Sequence, residues 1–123
     1  TRPRIRLGIM FERGALLLVP FPFTDLSAAK RRPVLALTVP DAHGDFQALS
    51  VTSRPHTQNS IALSASDLVS GHLPLASWVR TDRIVTLSAS LVLKEFGRVS
   101  APVLDRSLAM LCAHMGHAAQ VVP

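Results

Sequence analysis

For most of the chain, apolar residues come in short runs cut by proline, glycine or charge, and a helical stripe emerges only near the C-terminus. Ala15-Leu16-Leu17-Leu18-Val19 is such a run, closed by Pro20, and its length suits a buried strand. Pro20-Phe21-Pro22-Phe23-Thr24-Asp25 cannot be helical, because two prolines remove amide donors and hold their predecessors extended. Residues 24–31 form a polar loop in this reading. Residues 33–39 are apolar and β-prone, with Pro33 at a strand start, where a missing N–H is tolerated. Asp41-Ala42-His43-Gly44-Asp45 has the composition of a hairpin turn, and residues 46–51 make the returning strand. That strand delivers Thr52-Ser53-Arg54-Pro55-His56 into a polar loop.

Further short segments follow. Residues 59–63 read as a strand, residues 64–70 as a single helical turn closed by Gly71, and residues 77–79 and 83–87 as two short β or turn segments. A helical turn is expected around 88–91 and a last strand over 95–99. The C-terminal helix has the clearest pattern. Ser100 can cap it, Pro102 fits its first turn, and Asp105 lies near the positive end of its dipole. Leu104, Leu108, Leu111 and Met115 share one face, a core or subunit-interface stripe, and Gly116 is a natural terminator. The expected fold is mainly β: short antiparallel strands closed into a partly open barrel, with the terminal helix packed on it. Residues 1–12 are expected to be an N-terminal arm, 13–117 a single domain and 118–123 a tail.

Composition narrows this picture. A chain of 123 residues fits one domain. At 48% hydrophobic and 17% charged residues it is not a disordered sequence. The single cysteine, Cys112, excludes an internal disulfide and a thiolate zinc site, and suits a reducing cytoplasm. Its apolar helical surroundings suggest a buried structural thiol. No run approaches the roughly 18 apolar residues of a membrane span, and the basic Thr1-Arg2-Pro3-Arg4-Ile5-Arg6 is not followed by a signal-peptide core. The formal net charge is +5, and eleven of the thirteen cations are arginine. Arginine's planar fork matches phosphate, so the charge favours nucleic acid or an acidic protein, unless it serves solubility alone. No nucleotide-binding glycine loop, HExxH or paired-cysteine motif is present. His114 and His117 lie three apart without a nearby carboxylate, so neither metal nor cofactor is expected. His43 and His72 are expected to be solvated.

Two loops leave strands that should be neighbours. Lys30-Arg31-Arg32-Pro33 leads into one, and Thr52-Ser53 leaves the other. In a hairpin turning at 41–45, residues near 33 face residues near 52, which brings Arg32 and Thr52 together at one open end. A guanidinium beside a hydroxyl suits a phosphodiester. A solvated basic turn beside a strand-capping threonine fits the same spacing.

Arg13-Gly14, the Pro20–Asp25 run, Lys30-Arg31-Arg32-Pro33-Val34-Leu35-Ala36-Leu37 and Val51-Thr52-Ser53 follow one another in order. Ser77-Trp78-Val79-Arg80-Thr81-Asp82-Arg83-Ile84-Val85-Thr86-Leu87 and Phe96-Gly97-Arg98-Val99 complete the series. In order and spacing these segments resemble MazF/PemK-type toxins, the endoribonuclease half of toxin–antitoxin pairs, from about Arg13 to Gly116. The resemblance implies an SH3-like, partly open barrel with a C-terminal helix. It also implies a homodimer that cleaves single-stranded RNA without a metal, and an acidic cognate antitoxin as partner. The family's catalytic arginine before proline falls on Arg32, and its catalytic threonine falls on Thr52.

Many relatives carry a glutamate in the first loop, where this chain has Asp25-Leu26-Ser27-Ala28-Ala29, and Ala15 replaces an acidic residue of the first strand. Asp25 and His56 are therefore the candidates for the catalytic base, each of which could equally be a plain loop residue. Lys30, Arg31, Ser53, Arg54, Ser77 and Trp78 are the candidate RNA contacts, with Trp78 either stacked on a base or buried. The competing reading is a non-catalytic toxin of the same barrel that binds DNA gyrase, RNA or an antitoxin. A gyrase poison of this shape depends on its C-terminal helix, often on a tryptophan near the end, whereas the only tryptophan here is Trp78.

Overall fold

The computed structural model describes residues 10–21, 30–55 and 58–117. Their frame is one seven-stranded antiparallel sheet, curled into an open half-barrel, with one long helix against it. The strands are β1 (Ala15–Phe21), β2 (Lys30–Ala36), β3 (Asp45–Thr52), β4 (Ser60–Leu63), β5 (Leu68–Gly71), β6 (Ser77–Ser88) and β7 (Lys94–Val99). Their order across the sheet is β4-β6-β3-β2-β1-β7-β5, and helix α1 (Ala101–His114) follows β7.

The continuous apolar run of β1 has a simple cause: both faces of the central strands are covered. Side chains alternate across a sheet. Leu17, Val19, Val34, Ala36, Phe46 and Ala48 enter one core cluster, closed by Phe11, Ala89 and Val92. Leu16, Leu35, Leu37, Leu49 and Val51 enter the other, closed by Val103 and Leu104 of α1. The helix lies against β6 and β4. Its Ser107, fully buried, donates a 2.8 Å hydrogen bond to the Val103 carbonyl, so it adds no unpaired hydroxyl to that core.

β1 does not end at Pro20 but runs on to Phe21. Its pairing with β7 stops at Leu18 opposite Lys94, while pairing with β2 continues through Pro20 opposite Arg31. Beyond Leu18 no described strand pairs with that edge of β1, and proline is tolerated on an unpaired edge. In the same ladder Lys30, Arg31 and Arg32 belong to β2 and not to a loop. The turn between β2 and β3 is held by Asp41, whose Oδ1 accepts the amides of His43 at 2.8 Å and Asp45 at 3.0 Å. Gly44 supplies the left-handed backbone, at φ +83°.

Three further expectations need correction. Residues 77–79 and 83–87 are parts of one long strand, β6. Opposite β3 its register jumps from Ile84 (facing Leu49) to Val79 (facing Val51), so residues 80–83 bulge against Ser50. That bulge is polar in sequence, which makes one strand look like two. Residues 64–70 are not one helical turn: a 3-10 turn covers Ala65–Asp67, and Leu68–Gly71 forms β5, an edge strand on β7. Cys112 is exposed, not buried. The last turn of α1 runs past the sheet it packs on, so residues 112–117 all face solvent. Among the described residues, no helix is long and apolar enough to cross a membrane.

Candidate functional site

The β2–β3 register is Val34 opposite Ser50 and Leu35 opposite Leu49. Continued by two residues, it sets Arg32 against Thr52, as the hairpin argument requires. Both residues line a cleft of about 650 Å³. Its walls also carry Arg31, Ser53, Arg54, Ser77 and Lys94, with Leu18, Val51 and Phe96 among its apolar members. Arg31, Arg32, Ser53 and Arg54 are exposed, and Thr52 is half-buried. The Thr52 Oγ1 accepts the Arg54 backbone amide at 3.1 Å. That bond fixes the hydroxyl oxygen and leaves its proton to be donated elsewhere.

A second cavity of about 290 Å³ adjoins the first, sharing Arg32, Pro33, Val51, Thr52 and Arg54 with it. Its own walls are Ser50, Arg80 and Arg83. The β6 bulge puts the two arginines there. Asp82 grips Arg80 through two bonds, Nε to Oδ1 at 3.1 Å and a terminal nitrogen to Oδ2 at 2.9 Å. The pair is largely shielded, with side-chain exposures of 23% and 19%, and bidentate geometry holds that guanidinium in place. Ser50 Oγ is buried there with no hydrogen-bond partner among the described residues.

The remaining sequence candidates divide. Ser77 is buried in the cleft wall, its Oγ donating to the Leu75 carbonyl at 2.9 Å. Trp78 is half-buried and faces Thr52 across the β3–β6 ladder, but it lines neither cavity. Lys30 opens β2 opposite Phe21. Asp25 and His56 lie outside the described residues.

Sequence reasoning missed Arg80, Arg83, Lys94 and His72 as residues of this region. His72 is solvent-exposed, as expected, but its place is the wall of the larger cleft. The arginines could have been suspected from their spacing around Asp82 within an otherwise β-prone run. Nothing local marks Lys94 or His72, which arrive through pairings distant in sequence. Among the described residues, no aspartate or glutamate lines either cavity and no group of three or more potential metal ligands exists. The arrangement is a cationic double pocket with hydroxyl donors at its centre, suited to an anionic, phosphate-bearing chain.

Solved structures share this fold. A mycobacterial endoribonuclease in complex with its cognate antitoxin superposes with a TM-score of 0.71 at 19% identity, covering 89% of this chain and 98% of that one. A MazE-MazF structure from Deinococcus radiodurans gives 0.72 at 23% identity, over 89% and 100%. The Mycobacterium tuberculosis toxin MazF-mt6 gives 0.66 at 16% identity, over 85% and 99%. No functionally curated protein matches the sequence. The family profile of the PemK-like, MazF-like toxins matches residues 12–115, nearly the whole chain. With the half-barrel and its helix in place, this chain belongs to the PemK-like, MazF-like toxins of type II toxin–antitoxin systems.

Proposed function

We propose that the protein is a metal-independent endoribonuclease that cuts single-stranded RNA at the Arg32–Thr52 wall. One observation carries the reading: a guanidinium and a hydroxyl donor stand together between two cationic cavities, in a chain of this toxin family. RNA supplies its own nucleophile. Its 2′-hydroxyl attacks the adjacent phosphorus, the P–O5′ bond breaks, and a 2′,3′-cyclic phosphate and a 5′-hydroxyl remain. The transition state gathers negative charge on the non-bridging oxygens, where preorganised donors contribute most. Arg32 and the Thr52 hydroxyl are those donors. Arg54, Arg83 and the clamped Arg80 take neighbouring phosphates, holding the strand in register without reading its sequence. DNA lacks the attacking hydroxyl and is spared.

The mycobacterial neighbour is a complex with a cognate antitoxin. In this chain an acidic antitoxin segment laid along the arginine-lined clefts competes with RNA for the same cations. Exposed Leu91, Leu93 and Met115 offer apolar surface for a homodimer. The RNA substrate and the single exposed thiol fit a reducing cytoplasm.

Purified protein incubated with single-stranded RNA in EDTA, followed by sequencing of the fragment ends, tests this reading. It predicts 5′-hydroxyl ends, and a loss of about 10²–10³-fold for Arg32→Ala and for Thr52→Ala, with unchanged urea unfolding curves. Equal cleavage by wild type and both variants overturns the site. RNA left intact by the wild type overturns the activity.

A further inference from the structure

We propose that His72 is a catalytic residue of this site, the group that accepts the 2′-hydroxyl proton as RNA is cut. The inference rests on the ribonuclease reading above. Attack by a 2′-hydroxyl requires somewhere for its proton to go. The cleft holding Arg32 and Thr52 has no carboxylate in its wall among the described residues. Arg31, Arg32, Arg54 and Lys94 bring hydrogen-bond donors that have no acceptor capacity. The hydroxyls of Thr52, Ser53 and Ser77 are weak bases, and two of them are already engaged, Thr52 by the Arg54 amide and Ser77 by the Leu75 carbonyl. His72 is the one described side chain lining this cleft whose ring carries a nitrogen that can accept a proton.

Its position is built in. His72 directly follows β5, whose final residue Gly71 lies against β7 at φ +75°. A Cβ on Gly71 would stand 2.5 Å from the Gly97 Cα and would collide with the Phe96 carbonyl oxygen. Only glycine lets the edge strand approach that closely, and the next residue, His72, lines the cleft that Phe96 and Arg31 also line. The imidazole itself is exposed, so an RNA strand lying in the cleft can reach it.

The step balances without oxidant or co-reactant. A neutral ring nitrogen of His72 takes the 2′-hydroxyl proton while the O2′–P bond forms. The P–O5′ bond breaks, its electron pair leaves with O5′, and O5′ takes a proton from water. The imidazolium then releases its proton to solvent. The charged groups that line this cleft with His72 are Arg31 and Arg32 of β2, Arg54 after β3 and Lys94 of β7. The guanidinium groups among them do not titrate in the range where imidazole does.

The test is kcat/KM against pH on a fluorogenic single-stranded RNA, for wild type, His72→Ala and His72→Gln. In wild type the rate climbs through the histidine range and then levels. Both variants lose about 10²–10⁴-fold and lose that climb, KM stays within a few-fold, and added imidazole restores part of the rate to His72→Ala alone. A variant that keeps the wild-type rate, or is slow yet retains the climb and ignores imidazole, overturns the role of His72 while leaving the ribonuclease reading intact. Wild-type protein that leaves RNA uncut in EDTA overturns that reading, and this inference with it.

Discussion

Thr52 is the residue whose chemistry is most constrained. Its oxygen is held by the Arg54 amide at 3.1 Å, so its O–H direction is limited before substrate arrives. This is preorganisation in a single side chain, and it separates two substitutions of similar size. Thr52→Ser keeps both the acceptor and the proton, and should retain activity within about ten-fold of wild type, on the scale of one donor's worth. Thr52→Val keeps the β-branched shape that suits the end of β3 but removes the hydroxyl, and should lose about 10²–10³-fold in kcat. Single-turnover cleavage of both variants measures this, and an active Thr52→Val would show that the hydroxyl does not act on phosphate. Arg32 and Thr52 were legible in the sequence because a short hairpin makes their distance a matter of counting. Val34 opposite Ser50 bears the count out. His72 was not legible, since β5 joins the sheet beside β7 and nothing in Gly71-His72 itself announces that pairing.

The elements show the same division between local and distant causes. The turn at 41–45 and helix α1 follow from residues adjacent in sequence, and both form where composition and spacing put them. The bulge of β6 does not, because four residues of one strand stand against Ser50 of another only once the sheet is assembled. Two predictions belong here. The amides of Asp45 and then His43, with the nearby His43 charge, hold the Asp41 carboxyl below its ordinary value of 3.8. A depressed value means that the folded turn favours the carboxylate. Its contribution to stability is therefore complete above about pH 4 and fades as pH falls through the still lower folded value. Asp41→Ala should lower the melting temperature by a few degrees at neutral pH, and the gap to wild type should narrow in acid, as thermal melts across pH will report. The second prediction concerns Gly71, where a methyl group has nowhere to go against β7. Gly71→Ala should detach β5 locally and displace His72. Activity should fall well below wild type while the central strands keep their slow amide exchange, and a fully active variant would separate β5 from the site.

At the scale of the whole molecule, two apolar clusters on opposite faces of one sheet make the frame, and a group of cationic side chains lines the two cavities at its surface. Sequence revealed the excess of arginine but not its arrangement. Arg32 and Arg54 border both cavities, Arg31 and Lys94 border only the larger, and Arg80 and Arg83 only the smaller. That arrangement has a thermodynamic signature. Each phosphate neutralised by a cation releases condensed counterions, so binding to single strands weakens with salt by a log–log slope of about 0.7 per contact. A non-cleavable RNA, 2′-O-methylated throughout, isolates binding from cutting. Among the described residues Arg83 has no bidentate carboxylate such as holds Arg80, and it lines the smaller cavity, exposed. Arg83→Ala should therefore weaken binding of every RNA sequence alike and make the slope shallower by about 0.7. A substitution that read bases would instead weaken some sequences and spare others at an unchanged slope. Fluorescence anisotropy titrations between about 50 and 200 mM salt resolve these outcomes. An Arg83→Ala slope equal to wild type would take the smaller cavity out of the path of the RNA and leave the strand bound through the larger cleft alone.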